Sequence, residues 1–91
     1  MRERIYIRKD ILLKLYEYGE LNQTQLMTIC RLNNAKHKGI LEDMVEKGFL
    51  ERNTESRGNK TTVKFRISQK GMKVFEGILD PYEKLFPRED K

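Results

Sequence analysis

The chain has 91 residues, 37% of them hydrophobic and 36% charged, with a net charge of +5. That length suits one domain, 1–91, and excludes two separately cored ones. No apolar run approaches the roughly 20 residues of a membrane helix, and the basic N-terminus lacks the apolar stretch of a secretion signal, so the expected location is the cytoplasm, with no membrane partner.

The first helix is expected over RKDILLKLYEYG, where Ile11, Leu12, Leu15 and Tyr18 form an apolar stripe and Gly19 is a natural stop. Ile5, Tyr6 and Ile7 fit a short strand or a first helical turn, with the helical reading preferred. A second helix starts at the N-cap Asn22, with Gln25 completing a capping-box pattern. Leu26, Ile29 and Cys30 then repeat at helical spacing, which puts the cysteine on the buried stripe. Arg31 and Leu32 make a turn. Asn33 caps a third helix that runs to Lys47 and is closed by Gly48. Its inward residues are Leu41, Met44 and Val45, with His37 as a half-buried packing residue.

A hairpin follows, with strands over Phe49 to Glu55 and Thr61 to Ile67, and a loop at 56–60 carrying the turn signal Gly58-Asn59. Val63, Phe65 and Ile67 share one face, and Thr62, Lys64 and Arg66 the other. The last helix is capped by Ser68 and buries Met72, Phe75 and either Ile78 or Leu79. Asp80-Pro81 reads as a break and restart. Tyr82, Leu85 and Phe86 form a further apolar cluster in a C-terminal extension, 80–91.

Charge is partitioned along this order. Two acid-free windows, Leu21 to Leu41 and Ser56 to Phe75, together carry +9, while the rest of the chain carries −4. A polyanion-binding face with an acidic back has this footprint. Helix, helix, short turn, helix, hairpin, helix is the order of a winged helix-turn-helix, mainly α with a small β-hairpin wing. That geometry sends the N-terminal end of the second paired helix, 33–47, into the major groove.

The candidate DNA-binding residues are therefore Gln23, Arg31, Asn33, Asn34, Ala35, Lys36 and Lys38, with Arg57, Asn59 and Lys60 at the wing tip 56–60 placed on phosphates or in a minor groove. Asn can pair bidentately with adenine, and Lys reaches guanine or phosphate. Ala35 and Gly39 are small enough to let the helix approach the groove floor. Lys36 and Lys38 near the helix start, with Glu42, Asp43 and Glu46 in its second half, oppose the order an isolated helix dipole favours. A phosphate backbone at the N-terminal end would reverse that preference.

TQLMTICRLNNAKHKGILEDMVEKGFLE followed by ISQKGMKVFEGI resembles the short archaeal winged helix-turn-helix proteins, which include the ten-kilodalton chromatin-associated DNA-binding proteins and related predicted transcriptional regulators. The matching residues are Thr24, Gln25, Leu26, Met27, Leu32, Leu41, Met44, Glu46, Lys47, Gly48, Leu50, Ser68, Lys70 and Gly71, within residues 5–79. His37 stands where that family has an aliphatic residue, and the wing loop is longer and more basic. The resemblance implies dimerisation through a long C-terminal helix. Pro81 interrupts that helix here, so the expected homodimer is compact and uses Tyr82, Leu85 and Phe86 with part of the first helix.

The leading functional expectation is a transcriptional regulator bound to double-stranded DNA as a homodimer. The alternatives are an architectural chromatin protein with little sequence preference and a winged-helix protein-docking module. An enzyme is not expected, because no phosphate-binding glycine loop or nucleophile–base pair is present. One His and one Cys cannot build an ordinary zinc site, so no metal or cofactor is implied. A small-molecule effector is left open.

Overall fold

The computed structural model describes residues 3–88. Residues 1, 2 and 89–91, which the sequence reading assigns to the same domain, lie outside the described residues. Helix α1 (Arg4–Tyr18) starts early enough to take Ile5, Tyr6 and Ile7 into its first turns, and it buries Tyr6, Ile7, Ile11, Leu12 and Leu15. Tyr18, expected on this stripe, is 59% exposed. The helix ends at this residue, and the side chain that enters the core next is Leu21.

Leu21 belongs to a short strand that sequence periodicity does not announce, β1 (Glu20–Asn22). Three residues are too few to show a period of two. β1 pairs antiparallel with β3 (Lys60–Ile67), setting Leu21 opposite Phe65, and β3 pairs with β2 (Leu50–Arg57). The expected two-stranded hairpin is thus a three-stranded sheet in the order β1-β3-β2.

Helix α2 (Gln23–Ile29) begins on the expected capping box: Asn22 Oδ1 accepts from the Gln25 N–H at 2.8 Å, and Gln25 Oε1 accepts from the Asn22 N–H at 3.0 Å. It ends in a Schellman motif, with Leu32 N–H donating to Met27 O at 2.8 Å and Arg31 N–H to Thr28 O at 3.2 Å. The same closure ends α3 (Asn34–Glu46), through Phe49 N–H to Met44 O at 2.9 Å and Gly48 N–H to Val45 O at 3.0 Å.

The wing differs from expectation in its loop. The five residues 56–60 are not an open loop, because the strands run on to Arg57 and Lys60 and leave a two-residue Gly58-Asn59 turn. Positive φ falls at the first central residue alone, Gly58 at 58°, which is the pattern of a type II′ turn. Residues 51–61 are all exposed, so most of the hairpin stands clear of the core.

The C-terminal helix starts at α4 (Gln69–Val74), where Ser68 Oγ accepts from the Gly71 N–H at 2.9 Å. It passes through a π-helical turn, Phe75–Leu79, into α5 (Asp80–Leu85). The expected break at Asp80-Pro81 is therefore absent. Pro81 has no N–H and sits in the first turn of α5, and the π turn before it widens the helix by one residue so that the chain continues. Of the two core alternatives, Leu79 is buried and Ile78 is 58% exposed.

Residues 82–88 fold back on α1. The Tyr6 hydroxyl donates to the Phe86 carbonyl, and Arg88 forks onto Asp10 with two 2.9 Å bonds. Arg88 also bonds Glu83 and, helped by Lys9, holds its carboxyl down to about 2. The core beneath is one cluster of thirteen residues from Ile7 to Leu79, including Cys30, and among the described residues no polar or charged side chain is buried.

Candidate nucleic-acid interface

Arg31 takes a left-handed backbone (φ 57°) that its Schellman position demands and that glycine ordinarily fills. An L side chain there carries a strain of roughly 1–2 kcal/mol. The turn brings the starts of α2 and α3 together, and the Gln23 amide donates to Asn34 Oδ1. Gln23 thereby fixes how Asn34 presents its amide. Asn33 has a different task, since its Oδ1 accepts the Lys36 N–H at 3.1 Å as the N-cap of α3. His37 supports the same cap, with Nδ1 accepting the Asn33 N–H at 2.9 Å. Sequence reasoning singled out both asparagines and the cap by Asn33, but not the bond from Gln23 to Asn34.

Ala35, Lys36, Lys38 and Gly39 lie exposed along the first half of α3. A methyl group at Gly39 would meet nothing within 4 Å, so no contact inside the chain requires a glycine there. At the wing tip Arg57 and Lys60 are direct cross-strand partners flanking Gly58 and Asn59. Like charges so placed destabilise a hairpin.

A family profile described as winged helix-turn-helix matches residues 1–85. The chain belongs to the winged helix-turn-helix family. No curated protein sequence matches it. Solved structures share its fold at low identity. A probable transcriptional regulator from Pseudomonas aeruginosa is 21% identical with a TM-score of 0.74, over 88% of this chain and 59% of that one. A MarR family transcriptional regulator from Silicibacter pomeroyi is 22% identical with a TM-score of 0.62, over 89% and 56%. Overoxidized AbfR bound to DNA is 15% identical with a TM-score of 0.70, over 92% and 61%. This winged helix-turn-helix chain therefore spans less than two thirds of each of these proteins.

Ion pairing sorts the cations of the winged helix. On α1 and at the C-terminal end Arg8, Lys9, Lys14, Lys84 and Arg88 all face carboxylates. Two residues from the acid-free windows are also engaged: Lys64 lies 3.8 Å from Glu20, and Lys70 donates to the Lys47 carbonyl at 2.9 Å, capping α3. Arg66 stands between Glu20 and Glu51 across the sheet. Among the described residues Lys36, Lys38, Arg57 and Lys60 have no acidic partner, and the same holds for Arg4, Arg52 and Lys73 elsewhere on the domain. No described helix is long and apolar enough to cross a membrane.

The apolar C-terminal cluster is divided. Tyr82 is half-buried, with its ring 6.1 Å from Tyr6 and 5.2 Å from Phe86, whereas Leu85 is 75% and Phe86 59% exposed. Tyr16, stacked on Phe75, is an exposed apolar residue that the sequence reading did not select, and Ile78, offered there for the core, is exposed as well.

Proposed function

We propose that this domain binds duplex DNA as a transcriptional regulator, with the start of α3 in the major groove and the wing tip on phosphates or in a minor groove. The observation that carries this reading is the unpaired charge of Lys36, Lys38, Arg57 and Lys60 at the two places where a winged helix meets DNA. Two unfavourable features support it: Arg31 occupies a glycine slot, and Arg57 faces Lys60. A phosphate backbone relieves the repulsion of the second.

The test is anisotropy of a labelled 30-base-pair duplex across a salt series. Micromolar binding that weakens steeply with salt is expected. Absence of binding at low salt overturns the reading and favours a protein-docking role. An architectural role with little sequence preference is favoured by one observation, that the side-chain oxygens of Asn33 and Asn34 already hold partners within the protein. Competition with genomic fragments separates the two, since a regulator prefers its site by about 10³-fold or more.

Gly39→Ala gives a second check, because its two effects have opposite signs. With open space around the site, Ala stabilises the free helix by about 1 kcal/mol. A helix pressed on the groove floor loses affinity for the same methyl. Raised thermal stability with unchanged duplex affinity would place α3 away from the floor.

The homodimer belongs to this proposal, with Leu85 and Phe86 at its centre and Tyr82 as their support. Sedimentation at tens of micromolar is expected to show twice the chain mass, and Leu85→Asp to return the monomer. A monomeric wild type overturns it.

A further inference from the structure

Outside the DNA-facing surface the described residues enclose a cleft of about 270 Å³, lined by Ile5, Arg8 and Leu12 of α1, Met44 of α3, Phe49, and Val74 and Leu79. The last two bracket the π-helical turn, a feature found frequently at functional sites. An apolar cavity of about 150 Å³ takes one benzene ring, so this cleft has room for a ring and a short arm.

The lining is apolar except for Arg8, and the charge around Arg8 is unbalanced. Its Nη2 donates to Asp43 Oδ2 at 3.2 Å, the one hydrogen bond its guanidinium makes among the described residues. That same oxygen lies 3.1 Å from Lys47 Nζ. Two cations thus share one carboxylate oxygen, and both hold the Asp43 carboxyl below its usual range, Lys47 first. A guanidinium has five N–H donors and favours a two-point carboxylate. Lys70, 5.4 Å from the Phe49 ring centre, adds a third cation beside the lining.

We propose that this cleft is a binding site for a small apolar monocarboxylate, its ring among Leu12, Met44, Phe49 and Leu79 and its carboxylate on the open N–H edge of Arg8. The ligand's carboxylate competes with Asp43 for Arg8. Arg8–Asp43 ties α1 to the second half of α3, so an occupied site loosens the helix proposed to read DNA. That consequence rests on the DNA-binding reading, whereas the site itself does not.

The test uses the full chain without DNA and three probes: 3-phenylpropanoate, its neutral amide, and acetate. Binding is followed by the methyl NMR signals of Met44, Leu12 and Leu79. Saturable shifts with 3-phenylpropanoate are expected, at least tenfold tighter than with the amide, and none with acetate. Arg8→Gln should bring the acid-to-amide ratio to about one. Asp43→Asn removes the competitor and should tighten the acid severalfold, the reverse of what a damaged site would show. Equal affinity for acid and amide, equal shifts with acetate, or no binding of either aromatic probe overturns the proposal. A failure to bind DNA leaves all of these readouts unaffected.

Discussion

Replacing Gly71 by Ala is expected to lower stability by about 3 kcal/mol or more, near the upper end for overpacking. A Cβ at this position would stand 2.1 Å from the Phe49 carbonyl oxygen and 3.0 Å from Ile67 Cγ1. The first neighbour is backbone, and it is held from two sides. Phe49 N–H closes α3 onto Met44 O at 2.9 Å, and Phe49 O accepts the Ser68 N–H at 3.0 Å. The start of α4 is fixed as well, because Ser68 Oγ bonds both the Gly71 N–H and the Gly48 carbonyl. Relief therefore requires breaking either the closure of α3 or the cap of α4. In a domain of this size the loss corresponds to a fall in Tm of roughly 12–24 °C. A fall below about 5 °C would mean that α4 slides off Phe49 easily. The backbone of Phe49 would then not be held rigidly between the end of α3 and Ser68.

Gly71 also illustrates what the sequence conveys. Features written in neighbouring residues were readable: the Asn22–Gln25 capping box, Asn33 and Gly48 bounding α3, and Ser68 starting α4. Each is a bond across three to five residues, so its chemistry lies in the local string. Some of the features that the reading missed depend on chain segments far apart. β1 exists because Glu20–Asn22 finds β3 more than forty residues later. Lys64 counted as free charge until its Glu20 partner was in view, and the tie between Arg8 and Asp43 spans 35 residues. The polar string Ser56 to Lys60 reads as loop by composition, yet a two-residue turn sets a register that carries pairing to Arg57 and Lys60. Of the candidate interface, the residue set was read from sequence. The cap by Asn33 was read as well, whereas the part of Gln23 in orienting Asn34 came from geometry.

Changing Lys36, Lys38, Arg57 and Lys60 together to Gln is expected to remove most of the salt dependence of duplex binding without loosening the fold. Each phosphate neutralised contributes about −0.9 to the slope of log K against log salt, so four contribute about −3.6. Between 50 and 200 mM salt the wild type should therefore lose about 100-fold more affinity than the variant. Lys9 and Arg88 are poor substitutes, because they are held by Asp80, Glu83 and Asp10. Thermal stability separates this loss from unfolding. None of the four side chains makes an ion pair among the described residues, and Arg57 and Lys60 oppose each other across the hairpin. The variant should therefore melt at the wild-type temperature or slightly above it. An unchanged slope in a folded variant would show that phosphates are met elsewhere on the domain, and the assignment of α3 and the wing tip would fall with it.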